Sequence, residues 1–359
     1  MKQLLKYALA FSKLYYQLLL GKNPKFPIMV YFELTKKCNS HCKFCDLWQN
    51  NTMGNEFTLK ETKNLLKQCK DGGVLLFHIA GGEPTLCPFL PEIIDEAKKL
   101  GLPISLTSNS YLLNTKRIKE LINSGIKNIC LSIESSNPKI NDYLRGRQGA
   151  FNQVISTTKK IKEIDNSIKV NFNTVINKKN YKNLKNVIDL ANELNVDSVN
   201  FFPIESIYPF NYCLKQDTEL IFNTKQDIDD LKIEMNDLYK YASKKKMPTL
   251  SKKFFKLIPD YYNKTLKPGL CSGGKIVCEI DAEGNVYPCN GNRIHMGNIR
   301  KDNLSKIWNS QNAKVIRKKL EKCNQCWDNC QAEPKIRLSL KHILKNPIKT
   351  IEEYKRFFN

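Results

Sequence analysis

The chain has 359 residues, 41% hydrophobic and 26% charged, enough for one large folded domain with a small appendage. Its formal net charge of +23 favours anionic partners, but no dense Lys/Arg run or aromatic-basic module marks a nucleic-acid surface, so nucleic acid is not an expected partner. Thirteen cysteines, tightly spaced and without a secretory cleavage pattern near the start, read as metal ligands in a reducing cytosol and exclude a disulfide scaffold.

Residues 1–25 contain no acidic residue and place Lys2, Lys6, Lys13 and Gln17 within roughly 60° of a helical wheel. That predicts a basic amphipathic helix. Its lysines interrupt the ~20 apolar residues of a membrane span, leaving an interfacial helix in the headgroup plane or a helix packed across the next domain.

From 26 to 205 strands and helices alternate. Strands are predicted at Ile28–Leu34, Val74–Ala80, Pro103–Thr107, Lys127–Ile133, Lys169–Val175 and Ser198–Phe202. Helices are predicted at Leu59–Cys69, Phe89–Leu100, Thr115–Asn123, Phe151–Ile164 and Leu184–Leu194. The strands are short, apolar and β-branched, as buried parallel strands are. Six such units imply an α/β fold with right-handed crossovers, and periodicity alone leaves an open sheet and a partial barrel both standing.

Residues 206–267 read as a looser connecting region with a charged helix over Asp227–Lys244. Residues 268–330 hold the late cysteines. There Asp281-Ala-Glu-Gly284-Asn285 reads as a turn between strands at Lys275–Ile280 and Val286–Tyr287. The tail, 331–359, reads as a second basic amphipathic segment.

Nine cysteines form three groups: Cys38, Cys42 and Cys45; Cys271, Cys278 and Cys289; Cys323, Cys326 and Cys330. The first group follows the first strand directly. Three thiolates on one loop can ligate three irons of a [4Fe–4S] cluster and leave one iron open. Zinc is the competing reading, but a structural zinc site wants a fourth Cys or His, and His41 lies awkwardly between two ligands. For the late cysteines zinc remains an alternative, since four thiolates also suit it. Cys69, Cys87, Cys130 and Cys213 read as small buried hydrophobes.

With Phe44 as the aromatic position, Cys38-x3-Cys42-x2-Cys45 resembles the signature loop of the radical S-adenosylmethionine (SAM) superfamily. The resemblance implies that SAM binds the open iron and is cleaved reductively to a 5′-deoxyadenosyl radical. That radical then takes a hydrogen atom from a substrate. Gly81-Gly82-Glu83-Pro84 is similar to the family's GGEP motif, whose backbone and acid hold the SAM amino group. The family implies SAM contacts for Ser108 and Asn109, for Ser132 and Glu134, for Arg145 through the carboxylate, and for Asn173. All would lie at carboxyl ends of parallel strands, where α/β folds place their sites.

Cys271, the Gly284–Cys289 element and the Cys323–Cys326 pair are similar to the family's SPASM and Twitch extensions. The cysteine count is short of a full SPASM domain, which implies one auxiliary [4Fe–4S] cluster. Its first-choice ligands are Cys271, Cys289, Cys323 and Cys326; a rival set replaces the Cys323–Cys326 pair with Cys278 and Cys330. The whole then reads as a partial (β/α)6 TIM-like barrel followed by a small Cys-rich domain of hairpin and helix. The expected activity is radical peptide or protein maturation, with a flavodoxin- or ferredoxin-like electron donor. The alternatives are a membrane lipid or lipid-linked sugar, reached from the inner membrane face through the basic ends, and a non-catalytic iron–sulfur binding protein.

Overall fold

The computed structural model describes residues 23–50, 55–205, 218–337 and 339. The predicted amino-terminal helix lies outside them, as do Cys213 and most of the predicted tail. No helix among the described residues is long and apolar enough to cross a membrane.

Six parallel strands run β1 (Met29–Thr35), β2 (Leu76–Gly81), β3 (Ile104–Ser108), β4 (Asn128–Ser132), β5 (Lys169–Ile176) and β6 (Ser198–Pro203). They pair in sequence order, each with the next. The connecting helices are α1 (Leu59–Gly72), α2 (Leu90–Leu100), α3 (Thr115–Ser124), α4 (Pro138–Arg145), α5 (Ala150–Ile164) and α6 (Leu184–Glu193). One face of each helix packs on the sheet, as Leu65, Leu66 and Cys69 do from α1 and Ile93, Ile94 and Ala97 from α2. Thr58 and Glu61 form a capping box at the start of α1, which satisfies two otherwise orphaned backbone donors.

The sheet does not close. Its order is β6-β5-β4-β3-β2-β1-β7-β8-β9, where β7 is Val277–Ile280, β8 Asn285–Tyr287 and β9 Gly297–Asn298. The hairpin read as the start of a separate small domain continues the core sheet, with β7 pairing parallel to β1 from Met29 opposite Val277 to Phe32 opposite Ile280. Beyond β6 come α7 (Lys225–Lys244) and α8 (Lys252–Tyr262); beyond β9 come α9 (Leu304–Asn309), α10 (Gln311–Leu320) and α11 (Asn329–Arg337). Trp308 of α9 is fully buried and donates its indole N–H to the Pro24 carbonyl at 2.9 Å, fixing the carboxyl-terminal part to the chain's entry into β1.

The described start of the tail is buried, not surface-seeking. Glu333 of α11 accepts from the backbone N–H and the hydroxyl of Ser251, both at 2.7 Å, and pairs with Arg337 at 2.7 Å.

The concave side of the sheet carries polar side chains around a cavity of about 1260 Å³. His78 Nδ1 meets Ser105 Oγ at 2.6 Å and Nε2 meets Thr107 Oγ1 at 3.0 Å. Burial lowers the His78 pKa from 6.5 to about 4, because no countercharge replaces the water lost to the imidazolium. Between those values the unfolded chain holds a proton that the folded chain does not, so stability falls as pH falls. Acidification from pH 7.5 to 5 should cost roughly 2 kcal/mol through this residue. Urea midpoints of wild type and His78→Gln at the two pH values check it: the variant should lose that part of the pH dependence, and identical slopes would refute it.

Candidate active site

The loop after β1 is held by the ends of two other strands, β2 and β3, and by the end of helix α4. Gly82 N–H donates to Thr35 O at 2.8 Å and Glu83 N–H to Lys37 O at 2.7 Å. The Asn109 side-chain amide reaches Asn39 Oδ1 at 2.6 Å and Ser40 Oγ at 3.0 Å. From the far side, Lys43 N–H donates to Leu144 O at 2.9 Å and the Arg147 guanidinium donates to the Asn39 carbonyl. Two glycines permit this closeness. A Cβ on Gly82 would strike the Lys37 carbonyl, and one on Gly146, which also has φ +59°, would strike the His41 carbonyl. Only glycine tolerates both demands without strain.

Cys38, Cys42 and Cys45 come together on this loop, each within electrostatic reach of the others. Burial pushes the Cys42 thiol up to about 11 and raises the other two. Such thiols need a metal centre's positive charge to ionise. Cys42 and Phe44 are buried with Leu144, Val175 and Ile204. His41, the alternative fourth zinc ligand, packs edge-on against Trp48 with ring centroids 4.9 Å apart. Three crowded thiols without a converging fourth ligand fit an iron–sulfur cluster with one open iron.

Glu83 is 1% exposed and takes four donors. Oε1 accepts from Thr85 N–H at 3.1 Å, Thr85 Oγ1 at 2.5 Å and Ser108 Oγ at 2.8 Å; Oε2 accepts from Asn109 N–H at 2.7 Å. A carboxylate offers about two acceptor positions on each oxygen, so Oε2, with one donor, keeps one. Glu83 therefore ties the Gly81–Pro84 turn to the end of β3, with three donors on Oε1 and one on Oε2. Glu134, 1% exposed, pairs with Arg145 at 3.2 Å and accepts from Val175 N–H at 2.7 Å. Arg145 in turn faces Cys42 and Cys38. Ser132 sits half-buried at the end of β4. Asn173 accepts from Asn200 Nδ2 at 3.0 Å and lines the cavity.

Among the late cysteines, Cys271, Cys289 and Cys323 are neighbours, and Cys326 faces Cys271 and Cys289. Backbone N–H groups already point at two of the sulfurs, Gly273 to Cys271 and Asn292 to Cys289, both at 3.2 Å. Cys278 and Cys330 stand apart: Cys278 is fully buried beside Cys69, and Cys330 faces Tyr31 and Asp328. Cys69 and Cys87 are buried, whereas Cys130 is half-buried and borders the cavity. Among the described residues no three His, Cys, Asp or Glu side chains converge as ligands of one ion; a four-iron cluster spreads its thiolates over separate irons.

A seam of buried acids escaped the sequence reading. Glu33 on β1 and Glu279 on β7 share Arg293, and the seam continues through Asp328 to Glu205. Acids at 33 and 279 inside apolar strand runs were the available signal.

A family model described as Radical SAM superfamily matches residues 32–191, and a second, described as Iron-sulfur cluster-binding domain (SPASM), matches 271–331. The chain belongs to the radical SAM superfamily. This radical SAM enzyme uses SAM and [4Fe–4S] clusters. It is 27% identical over 266 residues to a PqqA peptide cyclase of Bradyrhizobium diazoefficiens, spanning 73% of this chain and 66% of that protein's length. It is 24% identical to an AdoMet-dependent heme synthase of Methanosarcina barkeri, covering 81% of this chain and 84% of that one. Streptococcus suis SuiB bound to S-adenosylmethionine has the same fold, with a TM-score of 0.66 at 21% identity over 82% of this chain and 68% of SuiB. The anSMEcpe structure with bound AdoMet gives 0.62 at 14% identity over 91% and 100%.

Proposed function

We propose that this radical SAM enzyme modifies a peptide or protein. The observation that carries the reading is the cavity on the concave face. Its about 1260 Å³ exceeds the 300–1,000 Å³ typical of small-molecule sites. Asn128, Asn171, Asn173 and Asn200 offer it neutral donors and acceptors suited to a peptide backbone, beside a basic wall of Lys246, Lys252, Lys253 and Lys256. The relatives named as PqqA peptide cyclases and the SuiB structure bound to its precursor peptide SuiA support the same class.

Cys38, Cys42 and Cys45 would hold the SAM-cleaving cluster, and Cys271, Cys289, Cys323 and Cys326 an auxiliary one. When bound, the first of these would supply the one-electron chemistry that generates a carbon radical from SAM. The chain's own residues do the placing. Arg145, oriented by Glu134, offers a cation to the SAM carboxylate. Gly81, Gly82, Ser108, Asn109 and Ser132 surround the same strand ends, Glu83 fixes their spacing, and Phe44 shields the loop. The core would run 26–205, the connecting region 206–267 and the auxiliary part 268–330. A small reductase of the flavodoxin or ferredoxin kind would deliver the electron. The membrane-lipid alternative rests on ends that lie almost wholly outside the described residues.

Anaerobically reconstituted protein, given SAM, a reductant and peptides encoded beside its gene, should release 5′-deoxyadenosine in step with a peptide mass change. SAM cleavage that leaves every peptide unaltered would remove the peptide reading. Cys326→Ala should lower iron from about eight to about four per chain, as expected for one lost four-iron cluster, whereas Cys330→Ala should leave it unchanged. Equal losses in both variants would redraw the ligand set.

A further inference from the structure

The cavity on the concave face runs from the amino-terminal ends of the strands toward the first cysteine loop. Leu76, Asn128, Lys169 and Ser198, the first residues of β2, β4, β5 and β6, line one end. Along β5 the lining continues through Asn171 to Asn173, and the next alternate residue, Val175, packs with Cys42 and Phe44. The turn between α7 and α8 sits against the amino end of β6, where Val199 N–H donates to Pro248 O at 3.0 Å. That turn and the start of α8 bring Lys246, Lys252, Lys253 and Lys256 to the cavity.

The charge around this space does not balance. Six cations line it, these four with Lys169 and Arg337, against two acids, Asp197 and Glu333. Both acids are already engaged, Asp197 with Lys162 and Glu333 with Arg337, each at 2.7 Å. Among the described residues no acid pairs with Lys246, Lys252, Lys253 or Lys256. Lys245, one residue away and outside the cavity, pairs with Asp189 at 2.8 Å. The four lysines also stand where local rules disfavour them. Lys246 has φ +55° just past the end of α7, where Met247 N–H closes back on Ala242 O and glycine is the usual occupant. Lys252 and Lys253 begin α8, whose amino-terminal dipole disfavours cations. Lys256 follows at four and three residues, on the same side as both, where like charges repel. An anion in the cavity relieves all of this at once, and local rules are broken most often where function requires it.

We propose that this wall holds the carboxylates of an acidic peptide, the aspartate or glutamate side chains of the substrate. The proposal deepens the peptide reading above and rests on it. Four point charges spread over a turn and a helix fit acids strung along a chain; a compact phosphate is better matched by a forked guanidinium. The six residues from Lys169 to Val175 span roughly 20 Å of strand. An extended peptide therefore carries its acids about six positions from the residue beside the cysteine loop.

Equilibrium dialysis of the reconstituted full chain with SAM tests it, at about 150 mM salt so that distant charges are screened. The probes are the acetylated amides of hexaglutamate and hexaglutamine. Hexaglutamate should bind about tenfold more tightly. A cavity variant combining Lys246→Gln, Lys252→Gln, Lys253→Gln and Lys256→Gln should lose that preference. It should melt at the wild-type temperature or above, because none of the four lysines holds an acid of the fold. A control variant combining Lys60→Gln and Lys67→Gln on α1 with Lys116→Gln and Lys119→Gln on α3 removes the same charge from exposed positions elsewhere. It should keep the preference. Equal loss in both variants reports only the bulk field of a chain of net charge +23 and overturns the proposal. So do equal binding of the two probes, no binding of either, tighter binding of inorganic pyrophosphate than of hexaglutamate, or a large fall in the cavity variant's melting temperature. A peptide modified equally well by wild type and cavity variant removes the basic wall and leaves the peptide reading. An intact preference with no peptide modified removes the peptide reading and leaves the wall.

Discussion

Replacing Cys42 by Ala should reduce SAM cleavage to background and remove about four irons per chain, while the protein still folds. The argument is local. Cys42 is 6% exposed and central to a loop clasped by hydrogen bonds from Gly82, Glu83, Asn109 and Lys43. None of those bonds involves its sulfur, so the loop keeps its backbone frame when the sulfur goes. A site already one protein ligand short has no spare thiol to recruit: the other described cysteines stand on other elements. Iron analysis of the anaerobically reconstituted variant, beside 5′-deoxyadenosine release, checks both halves. Full iron with residual cleavage would move the SAM site elsewhere in the chain.

The strands and helices of the core were legible because each carries its own local pattern. Val30, Phe32 and Leu34 are an apolar run on a strand buried on both faces, and α1 announces itself by Thr58 and Glu61. Helix α4 was missed: it is eight residues long and polar, and starts from Asn137 and Pro138. The parallel pairing of β7 with β1 was illegible for another reason. It joins residues about 250 apart in sequence, and nothing in either strand names its partner. At the site, the cysteine loop and the Gly82 turn carry their chemistry in spacing. The role of Glu83 does not, since it is defined by four donors drawn from two loops. Likewise, six late cysteines allow several ligand sets on paper, and only the turn after β8 and the start of α11 separate Cys289 and Cys326 from Cys278 and Cys330.

Glu134→Ala should destabilise the fold by about 3–5 kcal/mol, the usual result of stripping one partner from a buried ion pair. Glu134 is 1% exposed, and its two oxygens do different work: one holds Arg145, the other the Val175 N–H. Without it the Arg145 guanidinium, 11% exposed, stays desolvated beside three thiols and has no countercharge. Exchanging both residues for Leu should recover much of that loss, since a buried pair is often replaceable by apolar groups of similar volume. The same double variant should bind SAM poorly, because Arg145 is the cation proposed for its carboxylate. Stability and SAM binding would thus part company. Urea unfolding of the two single variants and the double, read as a cycle, gives the first quantity, and SAM titration gives the second. If the double variant proves as unstable as the sum of the singles, the pair is not coupled. If it binds SAM as wild type does, Arg145 only braces the cysteine loop and the carboxylate is held by another group.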